Sequence, residues 1–252
     1  MLTNGLAIAG AVALLAACRP DTVSLDARPE VGDTYTIRYD IDAEVTSVVE
    51  GQAPETTTLS TRLDTEQVVA EVDAEGTVVS LTVRADGGPT QRLRVRLDRA
   101  GSLAAVEQVE GLPAGAFGLG PDSLLPSSAG TVPRGPVRIG DEWDLGQRLD
   151  AGGARLVGLG RIDGAEVATV HADLLQRLDE VATVVGSEVA LTGSLRSTAT
   201  TTYDLADGSV RRATSRTSGT VDALVQPPRG VEALPVPAVI TIDLRVRATR
   251  LP

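Results

Sequence analysis

A chain with one histidine and one cysteine has few routes to chemistry. His171 lies in Glu166-Val167-Ala168-Thr169-Val170-His171-Ala172-Asp173-Leu174, where Ala168, Val170, Ala172 and Leu174 form one side of a strand pattern. The imidazole shares the other side with Thr169 and Asp173. An imidazole oriented by a carboxylate can serve as a general base. Such a base still needs a nucleophile and a pocket, and the chain has no G-x-S-x-G elbow, Walker loop or H-E-x-x-H. The alternative is an exposed strand histidine. Asp204-Leu205-Ala206-Asp207-Gly208-Ser209 has two of the features of a calcium loop but lacks its alternating acids and distant glutamate, which leaves a hairpin turn as the plainer reading. Asp40, Asp42 and Glu44 share one strand face and are either a cation-attracting row or a solvated surface. Arg92, Arg94 and Arg96 form a basic stripe, suited to anionic headgroups or to blunting a sheet edge. No catalytic pair stands out among the 34 acidic residues. The sequence therefore assigns no catalytic, cofactor-binding or metal-ligating residue and reads as non-enzymatic.

Composition narrows the classes further. The 252 residues are 42% hydrophobic and 23% charged, which is ordinary for a folded chain. One cysteine excludes an internal disulfide and a cysteine-based zinc site. The net charge of −11, with no basic run, lacks the electrostatic footprint of nucleic-acid binding. All 23 basic residues are arginine, a bias that fits a GC-rich bacterial genome.

The single cysteine has a telling position. Met1–Ala17 carry no charged side chain, and Gly5–Ala17 is an apolar run. That run is short for a bilayer span, which takes roughly 20 residues, and suits the apolar core of a secretory signal. It ends in Leu15-Ala16-Ala17-Cys18. This resembles the bacterial lipoprotein signal, and the resemblance implies cleavage before Cys18, a diacylglyceryl group on its thiol, and an amine that is acylated or left free. The protein would then be exported and anchored to the outer face of a bacterial membrane through lipidated Cys18. More than one acyl chain makes such anchoring stable. The alternative is a plain secretory signal with an incidental cysteine, or a buried helix.

Residues 18–30 are polar, contain Pro20 and Pro29, and read as a tether. From residue 31 the pattern has period two. Tyr35, Ile37, Tyr39, Ile41, Ala43 and Val45 alternate with polar residues, which predicts a half-buried strand. Thr57–Leu63, Val68–Ala74, Thr77–Ala85, Leu93–Leu97 and Ser102–Val109 continue in strands, with a hairpin loop at Asp73-Ala74-Glu75-Gly76. Residues 111–138 are rich in Pro and Gly and read as a linker between a first β unit (31–110) and a second (139–252). In the second unit Asp163-Gly164 predicts a tight hairpin. Val181–Val185, Val189–Leu195 and Thr198–Tyr203 predict further strands, and Ser209–Val221, polar on both faces, predicts an exposed or weakly specified one. Val231–Pro237 reads as a loop, and Ile240–Ala248 is the clearest strand of all.

Two phrases recur at nearly one offset. Val31-Gly32-Asp33-Thr34-Tyr35 matches Ile139-Gly140-Asp141-Glu142-Trp143, with the glycines 108 residues apart, and Gly101-Ser102-Leu103 matches Gly208-Ser209-Val210 at 107. A duplicated β unit accounts for both. So does the ordinary use of such phrases where strands begin.

Pro136-Val137-Arg138-Ile139-Gly140-Asp141-Glu142-Trp143 resembles a family of uncharacterised bacterial secreted and lipoprotein β domains, in which a Pro-rich segment precedes V-x-V-G-D-x-W and antiparallel strands. More loosely, a lipoprotein signal followed by a long antiparallel sheet is similar to the half-barrel lipid carriers of bacterial envelopes. That similarity implies a concave face holding acyl chains. The fold expected is thus all-β, as two related antiparallel sheets or half-barrels with little helix beyond the signal. The function expected is binding of an apolar or amphipathic ligand, with no cofactor. The alternative is a structural module that pairs with another envelope protein through the polar strands at 198–221. Cys18→Ser is expected to shift the protein from the detergent phase to the aqueous phase in phase-partition assays; unchanged partitioning would remove the lipid anchor.

Overall fold

A computed structural model describes residues 22–86, 88–98, 103–110, 132–133, 135–145, 151–184, 187–227 and 234–252. Residues 1–21, Cys18 among them, and most of residues 111–138 fall outside these. Within them the protein is all-β and forms one open antiparallel sheet of eleven strands. The strands are β1 Thr34–Val49, β2 Glu55–Val72, β3 Gly76–Ala85, β4 Thr90–Asp98, β5 Leu103–Glu110, β6 Glu142–Asp144, β7 Ala151–Ile162, β8 Ala165–Val184, β9 Ser187–Asp204, β10 Val210–Val225 and β11 Val236–Arg250. Their order across the sheet is β5-β4-β3-β2-β1-β11-β10-β9-β8-β7-β6. The chain starts in the middle, steps outward to β5, resumes at the opposite edge, and steps back until β11 lies beside β1. The two expected halves are therefore flanks of a single sheet, joined where the first and last strands pair from Ile37↔Arg250 to Val49↔Ala238.

Several strands run longer than their local patterns predict. Thr57–Leu63 and Val68–Ala74 belong to one strand, β2, interrupted only by a bulge between Val69 and Glu71. No Gly or Pro separates them, so nothing turns the chain. Likewise Val181–Val184 is the end of β8, whose Leu175–Asp179 stretch stays extended because it pairs residue for residue with β9. At about 3.3 Å per residue, the 20 residues of β8 span roughly 65 Å. The strand at Ser209–Val221 also departs from expectation. It is β10, fully paired on both sides, to β9 and to β11. Its register is set by those neighbours, not by a hydrophobic stripe of its own.

Period-two alternation gives the sheet two unlike faces. Tyr39, Leu63, Val83, Leu93, Ala248, Ala213, Ala199, Ala172 and Ala154 share the apolar face, and Arg38, Asp40, Arg62, Arg245, Arg247, Thr200 and His171 share the polar one. On the apolar face Val79, Leu81, Val83, Leu93 and Val95 cluster on the first flank. On the second, Leu156, Val170 and Tyr203 pack with Val23, Leu25 and Val137. Val23 and Leu25, within the segment read from sequence as tether, are thus part of the core. Leu25 is 1% exposed, and Val23 exchanges backbone hydrogen bonds of 2.8 Å with Val137. Burying one such leucine contributes about 1.5–3 kcal/mol, which outweighs the polarity of the neighbouring residues.

The two Gly-Asp turns are built alike. Gly32 and Gly140 have φ of 96° and 95°, a region that favours glycine. Asp33 accepts the Glu30 amide, and Asp141 the Arg138 amide, each at 2.8 Å. Each turn then docks on the next long strand, at Val69 of β2 and Leu156 of β7.

Side chains from both halves meet where the first strand joins the last. The Tyr35 hydroxyl donates to Asp33 at 3.1 Å, and the Arg250 guanidinium lies 4.6 Å over the Tyr35 ring. Arg250 also donates to Asp207 at 3.4 Å and to the Ser209 hydroxyl at 2.6 Å. Gly208 sits so close to the backbone of Asp26 and Ala27 that an added Cβ would lie 2.3 Å from the Asp26 carbonyl oxygen. Burial, the nearby Asp207 charge and the Asp33 hydrogen bond push the Tyr35 phenol up to about 12. The folded state thus holds the Tyr35 proton more tightly than the unfolded chain. Its contribution to stability is complete below about pH 10, the ordinary tyrosine value, and is lost as pH rises toward 12. In an ultraviolet phenolate titration, Tyr35→Phe is expected to remove a late component; an unchanged curve would contradict this junction.

Candidate functional site

The apolar face is covered unevenly. Near the Gly-Asp turns Ile37, Tyr39 and Ala248 are buried at 6%, 5% and 3% exposure. Further along the same strands, Ile41, Ala43 and Val45 of β1 and Ile240, Ile242 and Leu244 of β11 are only half-buried. Leu59 of β2, directly opposite Ala43, is 51% exposed. Leu191 and Leu195 of β9 continue this half-buried row across β10. The strand centres thus carry aliphatic side chains over β2, β1, β11, β10 and β9 with partial cover. Tyr39 marks the boundary between the covered and open parts. Burial pushes its phenol above the ordinary range, against the influence of Thr65 and Gln67, and its hydroxyl has no hydrogen-bond partner among the described residues.

The polar face is a network of cross-strand ion pairs. Arg38 holds Asp64 through two hydrogen bonds, at 2.8 and 2.9 Å, and Arg62 holds Asp40 at 2.8 Å. Arg216 holds Asp243 at 2.6 Å, and this guanidinium keeps the Asp243 carboxyl below the usual carboxylate range. Two hollows lie on this side among the described residues. One, of about 360 Å³, lies over the sheet centre between Asp40 and Thr200; the other, of about 530 Å³, lies among Val48, Ala190, Leu224, Pro237 and Val239.

The residues singled out from sequence separate on this framework. Cys18 lies outside the described residues. His171 is half-exposed on the polar face, with Nε2 3.5 Å from Asp173 and Nδ1 3.3 Å from the Thr200 hydroxyl. The imidazole–carboxylate contact therefore exists, but neither residue lines either hollow. Among Asp40, Asp42 and Glu44, the first is taken by Arg62 and the second accepts from Ser60 at 2.7 Å, so the row does not converge on a cation. Among the described residues no three His, Cys, Asp or Glu side chains gather as a metal site would require. The Arg92-Arg94-Arg96 stripe is matched by acids. Arg94 meets Glu71 and Glu107, Arg96 meets Asp73 and Glu107, and Arg92 lies 3.9 Å from Glu110. That leaves it little to offer anionic headgroups.

The Asp204–Ser209 segment is a hairpin turn held by its own acids. Asp204, 5% exposed, accepts the Ala206 amide at 2.9 Å with one oxygen and the Arg211 Nε at 2.8 Å with the other. Asp207 accepts the Ser209 amide at 2.8 Å. Burial opposes the charge on Asp207, but Ser209 and Arg250 outweigh it and hold the carboxyl below its ordinary value. Both acids are thus engaged by the protein itself. Sequence reasoning missed the central cluster of Arg216, Arg245 and Arg247. Arg245 and Arg247 alternate with the apolar residues of β11, and Arg216 joins them only because β10 pairs with β11.

Asp204→Ala is expected to lower unfolding stability by about 2–4 kcal/mol in urea titrations, because it strands Arg211 and an amide. A loss below about 0.5 kcal/mol, the scale of an ordinary surface change, would contradict the role given to this carboxylate. Among the described residues no helix is long and apolar enough to cross a membrane. No protein-family model matches the chain, and no curated protein sequence matches it.

Proposed function

We propose that the protein is an envelope-anchored, non-enzymatic binding protein whose apolar sheet face takes up an apolar or amphipathic ligand. The observation that carries this reading is the gradient of cover along β1, from buried Ile37 and Tyr39 to half-buried Val45, beside Leu59 at 51% exposure. A strip of aliphatic side chains bordered by a buried end and an open end suits an acyl chain. Extended, flexible chains gain from such a surface by simple loss of apolar area from water. The Leu15-Ala16-Ala17-Cys18 signal supports the anchored location.

The second reading, a protein-interaction module, has its own observation. The interior position of β10 removes the strand at 198–221 as a pairing edge. The edges of the sheet are β5 and β6, and β6 covers only Gly153–Arg155 of β7. Val157–Ile162 therefore has no strand partner on its outer side among the described residues, and a partner's extended segment could pair there.

The full chain carrying Cys18→Ser is to be examined by native mass spectrometry with solvent extraction, and by titration with a fluorescent fatty acid. A reproducible extractable lipid mass and saturable binding are expected. Leu59→Glu should weaken that binding about 10-fold, or about 1.4 kcal/mol, because it places a charge on the strip. A bare protein mass with no fatty-acid binding would overturn the reading and favour the pairing edge, which crosslinking in cells would then have to capture.

A further inference from the structure

The hollow on the polar face has a composition unlike the rest of that face. Its floor is crossed by one row of opposed residues, Asp40 on β1, Arg247 on β11, Thr214 on β10 and Thr200 on β9. The adjacent row carries Asp42, Arg245, Arg216 and Thr198. On the first flank of the face the cross-strand arginines have found carboxylates, as Arg38, Arg62, Arg84, Arg94 and Arg96 have. Here the balance is different. Arg216 and Arg245 share one acid, Asp243, at 2.6 and 3.5 Å. Arg247 lies directly across from Asp40, yet Asp40 is turned away to Arg62. Among the described residues Arg247 has no partner at all. The hollow is lined by three arginines and two carboxylates, and Arg247 is the guanidinium there that no described carboxylate holds.

We propose that this hollow binds a small polyhydroxylated oxyanion, a sugar acid or a sugar phosphate. A carboxylate or phosphate matches the planar guanidinium of Arg247, and arginine is the side chain best suited to two-point contact with either group. Thr214 stands directly across from it and Thr200 one strand further on, and both hydroxyls face the same hollow as donors for the remaining oxygen lone pairs. Asp40 and Asp42 line the opposite wall and accept hydrogen bonds from ligand hydroxyls. The lining contains no aromatic side chain on which a neutral sugar could stack, so the anionic group has to supply the anchoring. A volume of about 360 Å³ is the scale of one sugar unit with its charged substituent. This site is on the opposite face from the aliphatic strip, so it stands or falls independently of lipid binding.

Isothermal titration of the full chain with glucuronate, glucose 6-phosphate, inorganic phosphate and glucose tests the proposal. Glucuronate or glucose 6-phosphate is expected to bind, with glucose at least about 10-fold weaker, and the preferred anion separates the carboxylate source from the phosphate source. Arg247→Gln should weaken binding at least about 10-fold and Thr214→Val several-fold, while thermal unfolding stays at the parent temperature. Arg161→Gln, on an exposed arginine remote in the sheet, should leave binding unchanged. Absence of binding by both anionic sugars would overturn the site. So would equal loss in Arg161→Gln, which would mean general charge attraction. Inorganic phosphate binding as tightly as the sugars would overturn the part given to Asp40 and Asp42.

Discussion

Pairing of the first strand with the last is the constraint on which the structure depends. Residues 37–49 meet residues 238–250, so nearly the whole chain lies between the partners. Closing so long a loop is costly in entropy, though the cost grows only slowly with length. Without this join the two flanks would be separate half-sheets, each with two bare edges. With it, β1 and β11 become the two central strands, and the unpaired edges move out to β5 and to β6 and β7. The side chains beside the join reinforce it. Tyr35, Asp33, Arg250, Asp207 and Ser209 come from the start of the first strand, the end of the last strand and the β9–β10 hairpin, and Arg250, ending the last strand, touches the other two.

A one-layer sheet cannot bury both faces, and this one treats them differently. Its apolar face is closed where the sheet's own clusters and residues 22–25 and 137 lie, and open further along. Its polar face is stabilised by many arginine–carboxylate contacts, each worth little alone because both partners stay hydrated. Their larger effect is to fix register. A slip of one residue would put aliphatic side chains among the arginines and the acids on the apolar side. The central hollow is the place where this matching of charges is left incomplete.

The recurring Gly-Asp turn shows how a local phrase acts at a distance. Glycine supplies the positive φ, aspartate fixes the preceding amide, and the turn then lays its backbone on the second strand along, at Val69 or at Leu156. Each flank therefore begins with the same device, and each has its aromatic, Tyr35 or Trp143, immediately after it. The strands that leave the two turns differ in length. β1 is 16 residues long and β6 only three, so the first ends in the centre of the sheet and the second remains an edge.

Local pattern was enough for the all-β class, the faces of β1 and β11, the recurrence of the Gly-Asp phrase, and the turns at residues 73–76 and 163–164. These depend on neighbours within a few residues, through side-chain alternation and the backbone angles glycine permits. The aliphatic strip was legible for the same reason, since Ile41, Ala43, Val45, Ile242 and Leu244 alternate within single strands. Pairing across the fold made one sheet of two halves, set β10 inside it, and went with the burial of Val23 and Leu25. It alone brought Arg247 across from an Asp40 already committed to Arg62. Those outcomes depend on pairing between segments up to 213 residues apart, as in Ile37↔Arg250, and local pattern holds no record of which strand will lie beside which.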